Sequence, residues 1–203
     1  MNTRIFLIRH AQTERNKEKI FTGQDDSPLT ELGLKQAKDT GIYLKQYHID
    51  NIYSSDLGRA YRTASIISEN FGIRPVKDER FRENKLGEWK GLNRIELLEK
   101  KRELLKDFKS LEYVTPPQGE STHDHKNRVI GAIKDITLEN IGKNIIVVAH
   151  SGTNKIILSY INNYPINDYY NLSQENCCIN IIDYDHSSQK YTVVISNYTE
   201  HLT

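Results

Sequence analysis

Short, almost unbroken apolar runs recur along this chain at wide intervals, and stretches with helical spacing fill the gaps between them. Ile5-Phe6-Leu7-Ile8 and Ile145-Ile146-Val147-Val148-Ala149 lack the polar alternation of a half-exposed strand, which marks them as buried strands. The pattern predicts strands at Arg4–Arg9, Asn51–Ser54, Asn144–Ala149, Cys178–Tyr184 and Tyr191–Ser196. Thr30 is placed to cap a helix from Glu31 to about Tyr47, and Asp56 to cap one from near Leu57 to Asn70. Asn93–Phe108 has apolar residues among many charges and predicts an exposed amphipathic helix. Ser121 and Asp124 form a capping-box-like start for a helix to about Asn140, and Gly152 and Thr153 open a last helix to Ile161. Alternating strands and helices predict a βα-type sheet with helices on its faces. Residues 81–120 break the alternation and predict a cap or lid inserted over one end of the sheet, within a single domain over residues 1–203.

Lys and Arg total 28 and Asp and Glu 27, a net charge of +1, so bulk charge offers no basic stripe for nucleic acid. Any anion must be held by a local cluster of cations. The run Lys100-Lys101-Arg102 alternates with Glu96, Glu99 and Glu103 and predicts a solvated, ion-paired helix face. The absence of a long apolar span or of a charged-then-apolar start predicts neither a membrane segment nor a signal peptide, hence a cytoplasmic protein. Cys177 and Cys178 are adjacent in a predicted strand, with side chains on opposite faces, and are expected to be buried free thiols.

Two of the buried strands end in histidine. The first runs into Arg9-His10-Ala11-Gln12-Thr13, the second into His150-Ser151-Gly152, where a helix begins. Parallel strands present their C-terminal ends along one edge, so His10 and His150 are expected to share a crevice, beside helix N–H groups that favour an anion. Ser54-Ser55-Asp56-Leu57-Gly58-Arg59 adds a cation in the first turn of a helix, where the helix dipole disfavours it unless it meets an anion, whereas Arg62 is expected to face solvent. Phe81–Gly91 has no period and brings Glu83 and Glu88, between which these patterns do not choose a proton donor. Two arginines, two histidines and a carboxylate at one sheet edge suit a phosphate monoester, which carries about −1.5 to −2 charges.

These motifs resemble the histidine phosphatase superfamily, whose members include cofactor-dependent phosphoglycerate mutases and small phosphatases such as α-ribazole phosphatase. The resemblance rests on Arg9-His10-Ala11-Gln12-Thr13-Glu14-Arg15-Asn16, Phe21–Gly33, Ser54–Ala60, Glu83 with Gly87-Glu88-Trp89-Lys90-Gly91, Gly119-Glu120-Ser121 and Val148–Gly152, and it spans residues 4 to about 160 in order. It implies a three-layer α/β/α sandwich, phosphoglycerate mutase-like, with a mainly parallel mixed sheet. It implies that His10 is the nucleophile, that Arg9, Arg59 and His150 clamp the phosphoryl oxygens, and that Glu83, in preference to Glu88, exchanges the proton. Asn16, Thr22, Gly23, Ser151 and Gly152 would line the phosphate site. Neither metal nor cofactor is implied, and the partner is a small phosphorylated metabolite, not a nucleic acid or membrane.

Two positions depart from the family pattern. Ala11 stands where glycine is usual, and Leu86 where mutases carry a tyrosine that grips substrate. The short insertion after Asn93 favours water reaching the phosphoenzyme, and Arg82 and Lys85 stand nearby as candidate anion partners. The expected function is hydrolysis of small phosphomonoesters through phosphohistidine, α-ribazole-phosphate-like or broad in specificity. The alternative is a phosphoglycerate mutase. A non-catalytic phosphate binder would be marked by loss of His10 or Glu83, and both are present. Monomer and homodimer are both compatible with the sequence.

Overall fold

β1 (Asn2–Arg9) shows why its central run, Ile5-Phe6-Leu7-Ile8, is apolar without a break. Ile5 and Leu7 pack on one side against Val129, Ile133 and Ile136, while Phe6 and Ile8 pack on the other against Leu44, Ala60, Ala64 and Ile67. β4 (Asn144–Ala149) divides in the same way, Ile145 and Val147 facing one layer and Ile146 and Val148 the other. A strand covered on both faces takes a polar side chain only where it is hydrogen-bonded, as Thr3 is to the Asn140 carbonyl. Burying one such side chain contributes roughly 1.5–3 kcal/mol. The Arg4–Asp183 ion pair on the half-open end of the sheet contributes about 1 kcal/mol at most. The two apolar layers therefore dominate the stability.

The computed structural model describes residues 1–93, 95–97, 99–100, 113–165 and 171–202. Among these, the other strands are β2 (Asn51–Ser54), β3 (Val76–Lys77), β5 (Ile179–Asp185) and β6 (Lys190–Tyr198). The helices are α1 (Glu14–Lys17), α2 (Glu31–Leu44), α3 (Gly58–Ser68), α4 (Thr122–Glu139) and α5 (Ser151–Ile161). The sheet order is β3-β2-β4-β1-β5-β6. β1 is parallel to β4, β4 to β2 and β2 to β3, whereas β5 runs antiparallel to both β1 and β6. Helices α2 and α3 cover one face and α4 and α5 the other, a three-layer α/β/α arrangement around a mainly parallel mixed sheet. No helix of the described residues is long and apolar enough to cross a membrane.

Several local expectations need correction. Asp56 does not cap α3, whose N-cap Leu57 has no side-chain bond. The carboxylate at that helix start is Asp26, from a distant loop, accepting from the Arg59 N–H at 3.0 Å. Gly58 makes room for it, since a Cβ there would lie 1.9 Å from Asp26 Oδ2. Asp56 instead accepts from Arg82. Cys177 and Cys178 precede β5 instead of lying in it, Cys177 with a positive φ of 56°. Both are buried and free, and burial pushes both thiols up to about 12. α2 ends at Leu44, short of Tyr47. Ser121 caps α4, but Asp124 accepts from the Ser121 hydroxyl in place of the N-cap backbone N–H. Of the amphipathic helix over Asn93–Phe108, residues 95–97 and 99–100 are helical, while 94, 98 and 101–108 lie outside the described residues, and with them Lys101 and Arg102.

Candidate active site

β1 and β4 are paired in register up to Arg9 and Ala149, so their next residues, His10 and His150, leave the sheet side by side. The two rings lie 5.2 Å apart, centre to centre. His10 is 4 % exposed, and its Nδ1 meets the Ala11 carbonyl at 2.8 Å. A carbonyl only accepts, so Nδ1 carries the ring proton and Nε2 is left with its lone pair. Burial, reinforced by the Arg59 and Arg9 cations, holds His10 well below the usual histidine value, which keeps Nε2 unprotonated at neutral pH. Ala11 needs no positive φ, and its N–H donates to Thr63, so alanine fits where glycine is usual.

Arg59 reaches back from the first turn of α3 and is 4 % exposed. Its guanidinium donates to the carbonyls of Gly23 at 2.7 Å and Asp25 at 2.6 Å, and its Nε points to His10 Nε2 at 3.3 Å. The positive φ of Gly23, 57°, turns its carbonyl region into this loop. Arg9 donates to the Gln174 carbonyl at 2.6 Å. Burial lowers the pKa of both guanidiniums, yet an arginine stays cationic in a protein. His150 Nε2 meets the Ser55 hydroxyl at 2.9 Å, and burial, then Arg59 and His10, holds this imidazole well below the usual value too. Two buried nitrogens, Arg9 Nε and His150 Nδ1, make no hydrogen bond to any described residue. A buried polar group without a partner costs about 1–3 kcal/mol, so the pair leaves room for an acceptor to offset that cost.

Glu83 closes the group from another direction. Its Oε2 accepts from the Gly152 N–H at 2.9 Å in the first turn of α5, and its Oε1 accepts from the Asn84 N–H at 2.9 Å. A Cβ on Gly152 would lie 2.5 Å from Glu83 Oε1, so only glycine lets the carboxylate come this close. Glu88 is exposed and meets Gln118 outside the cleft.

One cleft of about 590 Å³ gathers Arg9, His10, Asn16, Thr22, Gly23 and Arg59 with Glu83, Ser151 and Gly152. His150 is fully buried behind His10 and does not line it. Arg82 and Lys85, expected as anion partners, are not brought in: Arg82 is paired with Asp56 and Glu79, and Lys85 is exposed. Arg62 is exposed, as expected. Leu86, Trp89, Leu97 and Val114 form an apolar outer wall. Among the described residues no group of three or more His, Cys, Asp and Glu side chains is arranged to hold a metal ion.

Sequence reasoning missed several contributors. Asn176 donates to the His10 carbonyl at 3.0 Å and to Asn16 Oδ1 at 3.1 Å. Arg128 donates to the Arg80 and Arg82 carbonyls and pairs with Glu120, which also accepts from the Lys85 N–H, so α4 grips the Glu83 loop. Asn84 and His125 also line the cleft. The only signals were polar residues in loops and one histidine on an apolar helix face, neither of which has a period.

The geometry can be set beside known proteins. The model of the histidine phosphatase superfamily (branch 1) matches residues 5–197. A Hydrogenobacter thermophilus protein named "Putative phosphoserine phosphatase 2" is 34% identical over 204 residues, covering 98% of this chain and 99% of that one. An Escherichia coli protein named "Probable phosphoglycerate mutase GpmB" is 33% identical over 187 residues, covering 90% and 86%. The solved structure of Bacillus stearothermophilus YhfR superposes with a TM-score of 0.88 at 28% identity, covering 99% of this chain and 100% of that one. The chain therefore belongs to the histidine phosphatase superfamily, branch 1, as an enzyme of the phosphatase type.

Proposed function

We propose that this protein hydrolyses small phosphomonoesters, without a metal, through a phosphohistidine on His10. The observation that carries the reading is the unprotonated His10 Nε2, met by Arg59 Nε and set among Arg9, Arg59 and His150, with Arg9 Nε and His150 Nδ1 without partners among the described residues. His10 Nε2 attacks phosphorus, and the ester oxygen leaves with the proton of the Glu83 carboxyl. Arg9 and Arg59 follow the charge on the phosphoryl oxygens into the transition state, with His150 packed behind His10 in support and Asn16, Thr22, Gly23 and the backbone near Ser151 and Gly152 completing the site. Glu83, now a carboxylate, takes a proton from water as its oxygen attacks phosphorus. The N–P bond breaks, returning neutral His10 and inorganic phosphate.

Residues 81–120 serve in this reading as a cap of the single domain, and its apolar wall meets the leaving group. The test is phosphate release, in the presence of EDTA, from p-nitrophenyl phosphate, 3-phosphoglycerate, phosphoserine, α-ribazole phosphate and nucleotides, with His10→Ala as control. Release that survives EDTA and disappears in the variant supports the reading, and the fastest ester identifies the branch. Interconversion of 3- and 2-phosphoglycerate that exceeds phosphate release and depends on 2,3-bisphosphoglycerate would replace it with a mutase. That alternative draws on the likeness to a relative named as a mutase.

A further inference from the structure

Asn84 follows Glu83 in the chain and lines the same cleft, and its side chain is tied to α4 by a short relay. Asn84 Nδ2 lies 3.4 Å from His125 Nδ1. His125 is 1 % exposed, and its Nε2 lies 3.1 Å from Thr153 Oγ1. The Thr153 hydroxyl donates its own proton to the Arg82 carbonyl at 3.1 Å. With that proton committed, Thr153 Oγ1 meets His125 as an acceptor, so His125 Nε2 carries the ring proton. Burial, followed by the nearby Arg128 cation, holds His125 well below the usual value, so the ring is neutral and Nδ1 is bare. A bare Nδ1 takes the NH₂ end of Asn84 and repels the carbonyl end, which favours this orientation of the carboxamide. Asn84 Oδ1 accepts no hydrogen bond from any described residue, and it is not a buried atom without a partner. It is thus a fixed acceptor, left open beside the carboxylate that serves the leaving oxygen. The apolar wall of Leu86, Trp89, Leu97 and Val114 has no side-chain acceptor to offer, and Glu120 is already engaged by Arg128 and the Lys85 N–H.

We propose that Asn84, oriented by His125, selects leaving alcohols that carry a second hydrogen-bond donor, a hydroxyl or amino group, close to the ester oxygen. This rests on the phosphohistidine reading and deepens it to a substrate class. Asn84 touches the substrate, whereas His125 is a positioning residue that acts through it.

The experiment compares kcat/KM for glycerol 1-phosphate and n-propyl phosphate, which differ in the two hydroxyls of the leaving alcohol. One added hydrogen bond in a half-open cleft predicts a preference of about tenfold for glycerol 1-phosphate in the wild-type protein. Asn84→Leu and His125→Leu should each bring the ratio to about one. His125→Asn, which keeps an acceptor oxygen near the place of Nδ1, should retain part of the preference. A merely structural role for His125 would lower both esters together and leave the ratio unmoved. Equal rates for the two esters in the wild-type protein, or an unchanged ratio in both leucine variants, overturn this inference alone. Release from neither ester overturns the phosphohistidine reading and this inference with it.

Discussion

His10 and Glu83 line the same cleft but come to it by different routes. His10 stands at the end of β1, a strand paired on both sides, and its neighbours in the chain are fixed by ladder hydrogen bonds and two apolar layers. Glu83 stands between two single-turn 3₁₀ segments, Glu79–Phe81 and Gly87–Trp89, held to the sheet mainly by side chains of α4 and backbone of α5. The His10 side of the cleft, the phosphoryl half in the proposed reading, cannot shift without breaking the sheet. The Glu83 side, the proposed leaving-group half, is fixed by a few hydrogen bonds and one small apolar cluster, so it can be rebuilt by substitution while the His10 side stays where it is.

The comparison breaks most sharply at His10. His10→Ala should cut phosphate release by about 10⁴-fold or more, because the step loses its nucleophile, and a variant that retained a tenth of the wild-type rate would remove His10 from the mechanism. Glu83→Gln tests the other half. It should lower kcat for alkyl phosphates by about 10³-fold, within the usual range of general acid catalysis. The loss for phosphorylation by p-nitrophenyl phosphate, whose leaving group needs no proton, should be much smaller. Equal losses for both esters would mean that Glu83 does not protonate the leaving oxygen.

A third test reads the burial of the histidines as stability. His10, His125 and His150 all lie below the usual 6.5, chiefly through burial. The unfolded chain takes up protons near that pH while the folded chain does so only at lower pH, so stability is complete above about 6.5 and falls as the pH drops below it. The slope is about 1.4 kcal/mol per pH unit for each histidine, about 4 kcal/mol for the three together. Urea midpoints between pH 7 and 5 should show it, and His125→Asn should flatten it by about a third. A slope that His125→Asn leaves unchanged would place the proton on His125 in the folded protein. The smallest effect belongs to the cap. Trp89→Ala should raise KM by about tenfold, or about 1.4 kcal/mol, with kcat little altered for small esters, and a fall in kcat alone would join the cap to the chemistry.

Legibility follows the same division. β1, β4 and the two histidines at their ends could be read directly, because a strand buried on both faces must be apolar and stops visibly at the first charge. Arg59 was readable for a related reason, a cation misplaced in the first turn of a helix. What the pattern hid was long-range. Asp26 reaches α3 from a loop some thirty positions away, a bond with no sequence period, and local reasoning assigned that cap to Asp56. β3 has two residues, both exposed, and so no apolar run. Asn176, Asn84 and His125 act through one or two side-chain hydrogen bonds each, for which spacing carries no signal. Arg82 and Lys85 lie near Glu83 in the chain, but the loop turns them outward.

The central place of β1 also has a consequence for biosynthesis. β1 pairs with β4, Arg4 opposite Asn144, and with β5, Asn2 opposite Asp185. Both neighbours lie more than a hundred positions further along, so its two apolar faces wait unpaired while the intervening chain is made. His10 and His150 meet only when that wait ends, so the cleft between them takes shape only once β1 and β4 have paired.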